Sequence, residues 1–194
     1  MNMSNSVAKI IKNREIVSDD WFVLRAGEGQ EAGLLEVPAG KVIVPLATWL
    51  AQHEELAIRA QTGQIGVWFA SDERPETLKG QFGNFAVVAV DFPKFTDGRG
   101  MSIAYNLRMR LGYTGELRAI GDVLRDQLFS MSRVGFNAFA TRPDRSIEDA
   151  LKGLSDFSET YQASVDQKLP LFRRHARSPV GTTSVETNDI GAGI

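Results

Sequence analysis

Phe85-Ala-Val-Val-Ala-Val90 contains no polar residue and closes on Asp91. A short, uninterrupted apolar run of this kind fits a strand buried on both faces, as in a parallel sheet covered by helices. The loop that follows, Asp91-Phe-Pro-Lys-Phe-Thr-Asp-Gly-Arg-Gly-Met-Ser102, leads into Ile103, Leu107 and Leu111, one stripe of a helix that stops at Gly112.

The same alternation extends to both sides. Val42-Ile-Val44 precedes a helical stripe of Leu46, Trp49, Leu50, His53, Ala57 and Ala60, and Ile65–Ala70 is the next strand, with a weak helix near Pro75–Lys79. Leu117–Ile120 is a strand followed by a helix over Leu124, Leu128 and Met131, and Phe136–Ala140 is the last strand. Ile147, Ala150, Leu151, Leu154, Phe157 and Tyr161 predict an amphipathic helix, with Ser146 and Asp149 as a capping box at its start. Repeated β–α units imply an α/β fold with a mainly parallel sheet and right-handed crossovers. About five units are too few for a closed eight-stranded barrel, so the expectation is an open sheet or a partial barrel. Ala8–Val17 reads as a hairpin turning at Asn13-Arg14, and Trp21–Leu24 as a further strand, giving an N-terminal β segment at 8–25 before the core at 42–162. Residues 1–177 are expected to form one domain. Residues 178–194, rich in Gly, Ser and Thr without an apolar period, are expected to be a disordered tail.

The chain has 194 residues, 43% of them hydrophobic and 24% charged, with 22 basic against 24 acidic side chains and no cysteine. This is a globular composition. The near balance of charge predicts no broad attraction to nucleic acid or to an anionic membrane. Without cysteine the chain carries no disulfide framework, Cys-ligated zinc or iron–sulfur site, or thiol nucleophile. No apolar run approaches the roughly 20 residues that span a bilayer, and no apolar stretch follows the polar Met1–Val7. The expectation is a cytoplasmic protein.

In parallel α/β sheets, ligands bind outside the carboxyl ends of the strands. That rule selects the loop Asp91–Ser102, where Gly98, Gly100 and Ser102 at a helix start, with Asp97 and Arg99, could cradle an anion. The same residues also suit a plain turn, a cap at Asp97 and an ion pair at Arg99. Neither a Walker A loop nor a dinucleotide fingerprint is present. Gly121-Asp-Val-Leu-Arg-Asp-Gln127 begins one β–α unit later, so Asp91 and Asp122 occupy equivalent strand ends and could converge for acid–base work or to hold Mg²⁺. The favoured alternative for Asp122 is an N-cap, a preferred use of Asp before a helix. His53 and the basic cluster around His175 do not form a zinc motif, Trp49 and Trp68 fit the core, and Trp21 fits the core or a partner contact.

Val90–Ser102, Leu111-Gly-Tyr-Thr-Gly-Glu-Leu-Arg118, Gly121–Leu128, Gly135-Phe and Asp156-Phe-Ser with Tyr161-Gln162 together resemble a bacterial family of uncharacterised proteins often encoded beside assimilatory sulfite reductase. The resemblance spans about Val42 to Arg174. It implies an accessory role in sulfate or sulfite reduction, with pathway proteins as partners, and members commonly carry an oxidoreductase label. Such chemistry would need a cofactor bound by an unfamiliar route, and no cofactor is identified. The polar motif positions Asp91, Lys94, Asp97, Arg99, Asp122, Arg125 and Asp126 match the family pattern. No catalytic residue carries over from the family; by their place on the strand-end loops, Asp91, Lys94 and Asp122 are the catalytic candidates, and Asp97, Gly98, Arg99, Gly100, Ser102 and Arg125 the anion-binding ones. A magnesium-assisted enzyme acting on a phosphorylated or sulfated molecule and a non-catalytic structural subunit are the alternatives, and the oligomeric state stays open.

Overall fold

The computed structural model describes residues 8–174, so the expected tail at 178–194 and His175 lie outside the described residues. The hairpin β1 (Lys9–Lys12) and β2 (Glu15–Ser18) turns through Asn13 and Arg14, both at positive φ (51° and 68°), as a two-residue turn between twisted strands requires. β3 (Phe22–Val23) follows, then β4 (Val42–Pro45), α1 (Leu46–Gln61), β5 (Ile65–Phe69), β6 (Val87–Phe92) and α2 (Arg99–Met109). β7 (Glu116–Gly121), α3 (Arg125–Arg133), β8 (Ala138–Phe139), α4 (Ile147–Lys152) and α5 (Leu171–Arg174) complete it. The strands form an eight-stranded sheet in the order β2-β1-β8-β7-β6-β5-β4-β3. From β8 to β3 every neighbouring pair is parallel, and β1 is antiparallel to both β8 and β2. No helix among the described residues is long and apolar enough to cross a membrane.

The sheet is curled into a half-barrel, and the chain itself shows why. Asp19 N–H still bonds to Ala8 O beside β1, while Phe22 N–H already bonds to Lys41 O beside β4. Three Cα steps reach at most about 11 Å, whereas the edges of a flat eight-stranded sheet lie roughly 33 Å apart. Only a curl brings the two edges within that reach. The N-terminal strands thus precede the β–α core as expected, and β3 among them forms the opposite edge of the main sheet.

The curl gives the sheet an outer and an inner face. Outward, Val44, Val67, Val88, Val90 and Leu117 pack under Trp49 and Leu56 of α1, Ile103 and Leu107 of α2, and Leu128 and Met131 of α3. Inward, Ile43, Val87, Ala89 and Ile120 meet Trp21, Val23, Trp68 and Ala140. Trp68 thus lines the inner cluster, half-buried, while Trp49 is core.

One helix is shorter than its pattern. Ser146 caps α4 by accepting the Asp149 N–H, as expected, but the helix ends at Lys152 and a 3₁₀ turn, Gly153–Ser155, replaces the rest. A Cβ at Gly153 would lie 2.4 Å from Arg125 O, so the chain crosses α3 at a contact only glycine permits. Beyond it the Asp156 carboxylate turns to Arg125. Phe157 and Tyr161, expected on the buried face, are 64% and 67% exposed.

Candidate functional site

β6 and β7 are neighbours in register, with Asp91 opposite Ile120 and Phe92 opposite Gly121. Strand alternation then sends Asp91 to the inner face with Ala89 and Val87. There its Oδ1 accepts a 2.6 Å hydrogen bond from Nη2 of Arg25, just past β3, so the side chain comes across the mouth from the far edge of the sheet. The guanidinium lies 5.2 Å from the Trp68 ring centroid, and Trp68 Nε1–H donates to Leu24 O, which fixes the indole. The Asp91 side chain is 11% exposed and that of Arg25 45%.

Asp122 extends the polar line. Its N–H donates to Phe92 O, its Oδ2 accepts the Phe95 N–H and its Oδ1 accepts Nη1 of Arg142. Arg142 also forks onto Asp144 through Nε and Nη2, and this pairing holds the Asp144 carboxyl below its ordinary range and raises Arg142. Gly121 makes the arrangement possible: its φ is +92°, and a Cβ would lie 2.5 Å from Phe92 O and 2.7 Å from Asp91 Oδ1. Asp122 caps no helix. α3 starts at Arg125 after Leu124, whose N–H is accepted by the Gln127 side chain.

The remaining candidates separate. Asp97 turns back on the start of α2, accepting from Arg99 N–H and Nε through Oδ1 and from Arg99 Nη2 and Ser71 Oγ–H through Oδ2. The Arg99 guanidinium, then the Ser71 hydroxyl, holds the Asp97 carboxyl well below the usual carboxylate range. The anion at this helix start is thus the chain's own. Gly100 is set by packing, since a Cβ would lie 2.7 Å from the Phe92 ring, whereas Gly98 has nothing within 4 Å of such an atom. Arg99 and Ser102 border a groove of about 570 Å³ with Arg74 and Asn106. Arg125 lies in a different groove, of about 530 Å³, and pairs with Asp156 and Asp149. Lys94 is exposed and makes no ion pair among the described residues.

The charges at the mouth bear on the metal expectation. Asp91 and Asp122 each face a guanidinium, and no group of three metal-ligating side chains occurs among the described residues. Sequence reasoning missed Arg25, Trp68 and Arg142. The signal for Arg25 was the period-two series Val17, Asp19, Trp21, Val23, Arg25, whose members share a strand face.

Part of the motif set serves the opposite end of the sheet. Arg108 donates to the carbonyls of Tyr113, Gly115 and Gly135, and Tyr113 Oη–H donates to Glu116 O. A Cβ on Gly115 or Gly135 would strike Tyr113 or Arg108. Tyr113, Gly115 and Gly135 thus hold the local backbone together with Arg108, and burial pushes the Tyr113 phenol up.

No curated protein and no solved structure matches the chain. A family described as bacterial protein of unknown function (DUF934) matches residues 66–172, from β5 into α5, leaving Arg25 and the hairpin outside the matched span. With more than half of its length matched, the chain belongs to the DUF934 family of bacterial proteins.

Proposed function

We propose that the protein binds an anionic small molecule at the carboxyl end of the half-barrel, over the loops 91–102 and 121–127, as an accessory of assimilatory sulfate and sulfite reduction. The observation that carries the binding reading is the placement of cations there. Arg25, Lys94 and Arg142 follow the carboxyl ends of the parallel strands β3, β6 and β8, Arg25 and Arg142 are part-exposed beside Asp91 and Asp122, and Lys94 has no carboxylate partner among the described residues. The pathway reading rests on the motif resemblance, since the family description carries no activity. A reductase partner is a second occupant of the same rim, favoured by Phe95, which is 42% exposed beside Lys94. A magnesium-assisted enzyme has less support, because Asp91 and Asp122 already have guanidinium partners.

Two measurements test this. Thermal unfolding in phosphate, sulfate or sulfite, against chloride at equal ionic strength, should show stabilisation by at least one oxyanion. At 100 times the dissociation constant it should reach about 2.7 kcal/mol. Deleting the gene should impair growth on sulfate or sulfite but not on sulfide. Identical unfolding in every salt would remove the binding reading, and unimpaired growth on all three sulfur sources would remove the pathway reading.

A further inference from the structure

Arg25 and Asp91 are joined by one hydrogen bond, and that leaves an unusual pair of free groups. A guanidinium has five N–H bonds, of which Arg25 uses one among the described residues, Nη2 to Asp91 Oδ1. One of its faces lies toward Trp68 and its side chain is 45% exposed, so a donor edge stays open to the mouth. Asp91 Oδ2 has no hydrogen-bond partner among the described residues, and Asp91 lies inside the rim. The two side chains thus offer an oriented donor fork and, beside it, an acceptor without a donor.

We infer that this pair selects an oxyanion that still carries a proton, such as hydrogen phosphate or hydrogen sulfite, and rejects sulfate. The inference rests on the anion-binding reading above and gives it a ligand class. Two oxygens of the ligand take the free edge of Arg25, a geometry that guanidinium and oxyanion share. The ligand's O–H donates to Asp91 Oδ2. A carboxylate accepts and cannot donate, so an ion without a proton, as sulfate is at neutral pH, meets Asp91 as an unbridged like charge. Rejection by an unpaired charge is a strong form of specificity. Lys94 supplies positive charge at the rim without pairing to Asp91.

The test is a titration of the full chain with inorganic phosphate, sulfite and sulfate at neutral pH and constant ionic strength, read by calorimetry. The wild type should bind phosphate or sulfite at least about tenfold more tightly than sulfate, as loss of one charge-assisted hydrogen bond implies. Asp91→Asn, whose amide can donate, should erase that preference by gaining sulfate. Arg25→Gln should weaken all three anions about tenfold or more, Arg25→Lys should weaken them less, and Arg99→Ala should leave them unchanged. Circular dichroism of each variant confirms that it is folded. Equal affinity for the three anions in the wild type, or an unaltered preference in folded Asp91→Asn, overturns the selectivity while leaving anion binding intact. Loss of binding in Arg99→Ala but not in Arg25→Gln moves the site to the start of α2 and overturns the inference alone. No binding of any anion overturns both readings.

Discussion

Two arginine–carboxylate clusters on the inner face of the half-barrel differ in what they leave unsatisfied. Deep inside, Arg118 is 1% exposed, bonds through Nε to Glu116 and through Nη1 to both oxygens of Asp19, and has Nη2 2.7 Å from Glu116. Lys12 closes the other side of Glu116 at 2.7 Å. At the mouth, Arg25 makes one bond to Asp91 and is open to solvent. A saturated, buried cluster holds structure together, here the connector carrying Asp19 against β7. A cluster with free donors and a free acceptor is suited to a ligand. What separates the two clusters is therefore unspent hydrogen-bonding capacity rather than burial alone, and the proposed site rests on that difference.

The largest effect should come from exchanging the two arginines' roles in a stability measurement. Arg118→Met strands Asp19 and part of the Glu116 charge in the interior, and breaking a buried pair from one side costs about 3–5 kcal/mol. Arg25→Met removes a partly exposed pair and should cost no more than about 1 kcal/mol. Urea unfolding of both variants gives the two numbers directly. Equal costs would erase the distinction between a structural and a functional cluster.

Gly121→Ala should come next. The new methyl needs a φ of +92° and meets Phe92 O and Asp91 Oδ1 at 2.5 and 2.7 Å. Backbone strain of this kind costs about 2 kcal/mol, and relief requires Asp91 to move. The variant should therefore lose stability and anion affinity together, whereas Arg118→Met, if it remains folded at low temperature, should lose stability alone. A Gly121→Ala protein with unchanged anion affinity would show that the position of Asp91 does not matter to the site.

The strands of the core were readable because each is a short apolar run followed by turn residues: β5 falls within the expected segment, β6 is shifted two residues toward the carboxyl end of the 85–90 run, and β7 extends one residue beyond 117–120 at each end. The hairpin was readable from Asn13-Arg14. The curl was not, because its cause is a relation between distant residues. Asp19, Asp20 and Trp21 look like a local loop until Asp19 is seen on Arg118 and Phe22 beside β4. α4 was over-extended because Phe157 and Tyr161 keep helical spacing, while the close pass of Gly153 over Arg125 leaves no local trace. Asp91 lies near the carboxyl end of β6, where the apolar run placed it, but its partner Arg25 lies 66 residues away in sequence. Arg99, by contrast, paired with Asp97, its neighbour but one.

Asp122 gives a smaller and more selective effect. Its two oxygens accept from different donors, the Phe95 N–H and Arg142. Asn keeps one acceptor oxygen and loses the charge, so Asp122→Asn should retain the loop and cost only the part-exposed ion pair, at most about 1 kcal/mol. Asp122→Ala also leaves the Phe95 N–H without its partner and should cost about 1 kcal/mol more. Full complementation by Asp122→Asn with partial loss in Asp122→Ala would mark Asp122 as a positioning residue of the 91–102 loop. Loss of complementation in a stable Asp122→Asn protein would make its charge part of the site.

The smallest effect concerns Asp97 and appears only in acid. Its carboxyl is held well below the ordinary value of 3.8, chiefly by Arg99 and then by Ser71. A folded-state value below the unfolded one means that the unfolded chain takes up the proton first as pH falls. The contribution of Asp97 is therefore constant above the ordinary aspartate range and declines as pH drops below about 3.8 toward the lower folded value. Asp97→Asn removes this dependence, so the stability difference between wild type and variant should be flat near neutral pH and should shrink in acid. Because Asp97 belongs to the self-satisfied start of α2, the same substitution should leave the ratio of phosphate to sulfate affinity unchanged at neutral pH. A shift in that ratio would join the α2 start to the mouth as one site, and a stability difference independent of pH would mean that Asp97 and Arg99 are not paired in solution.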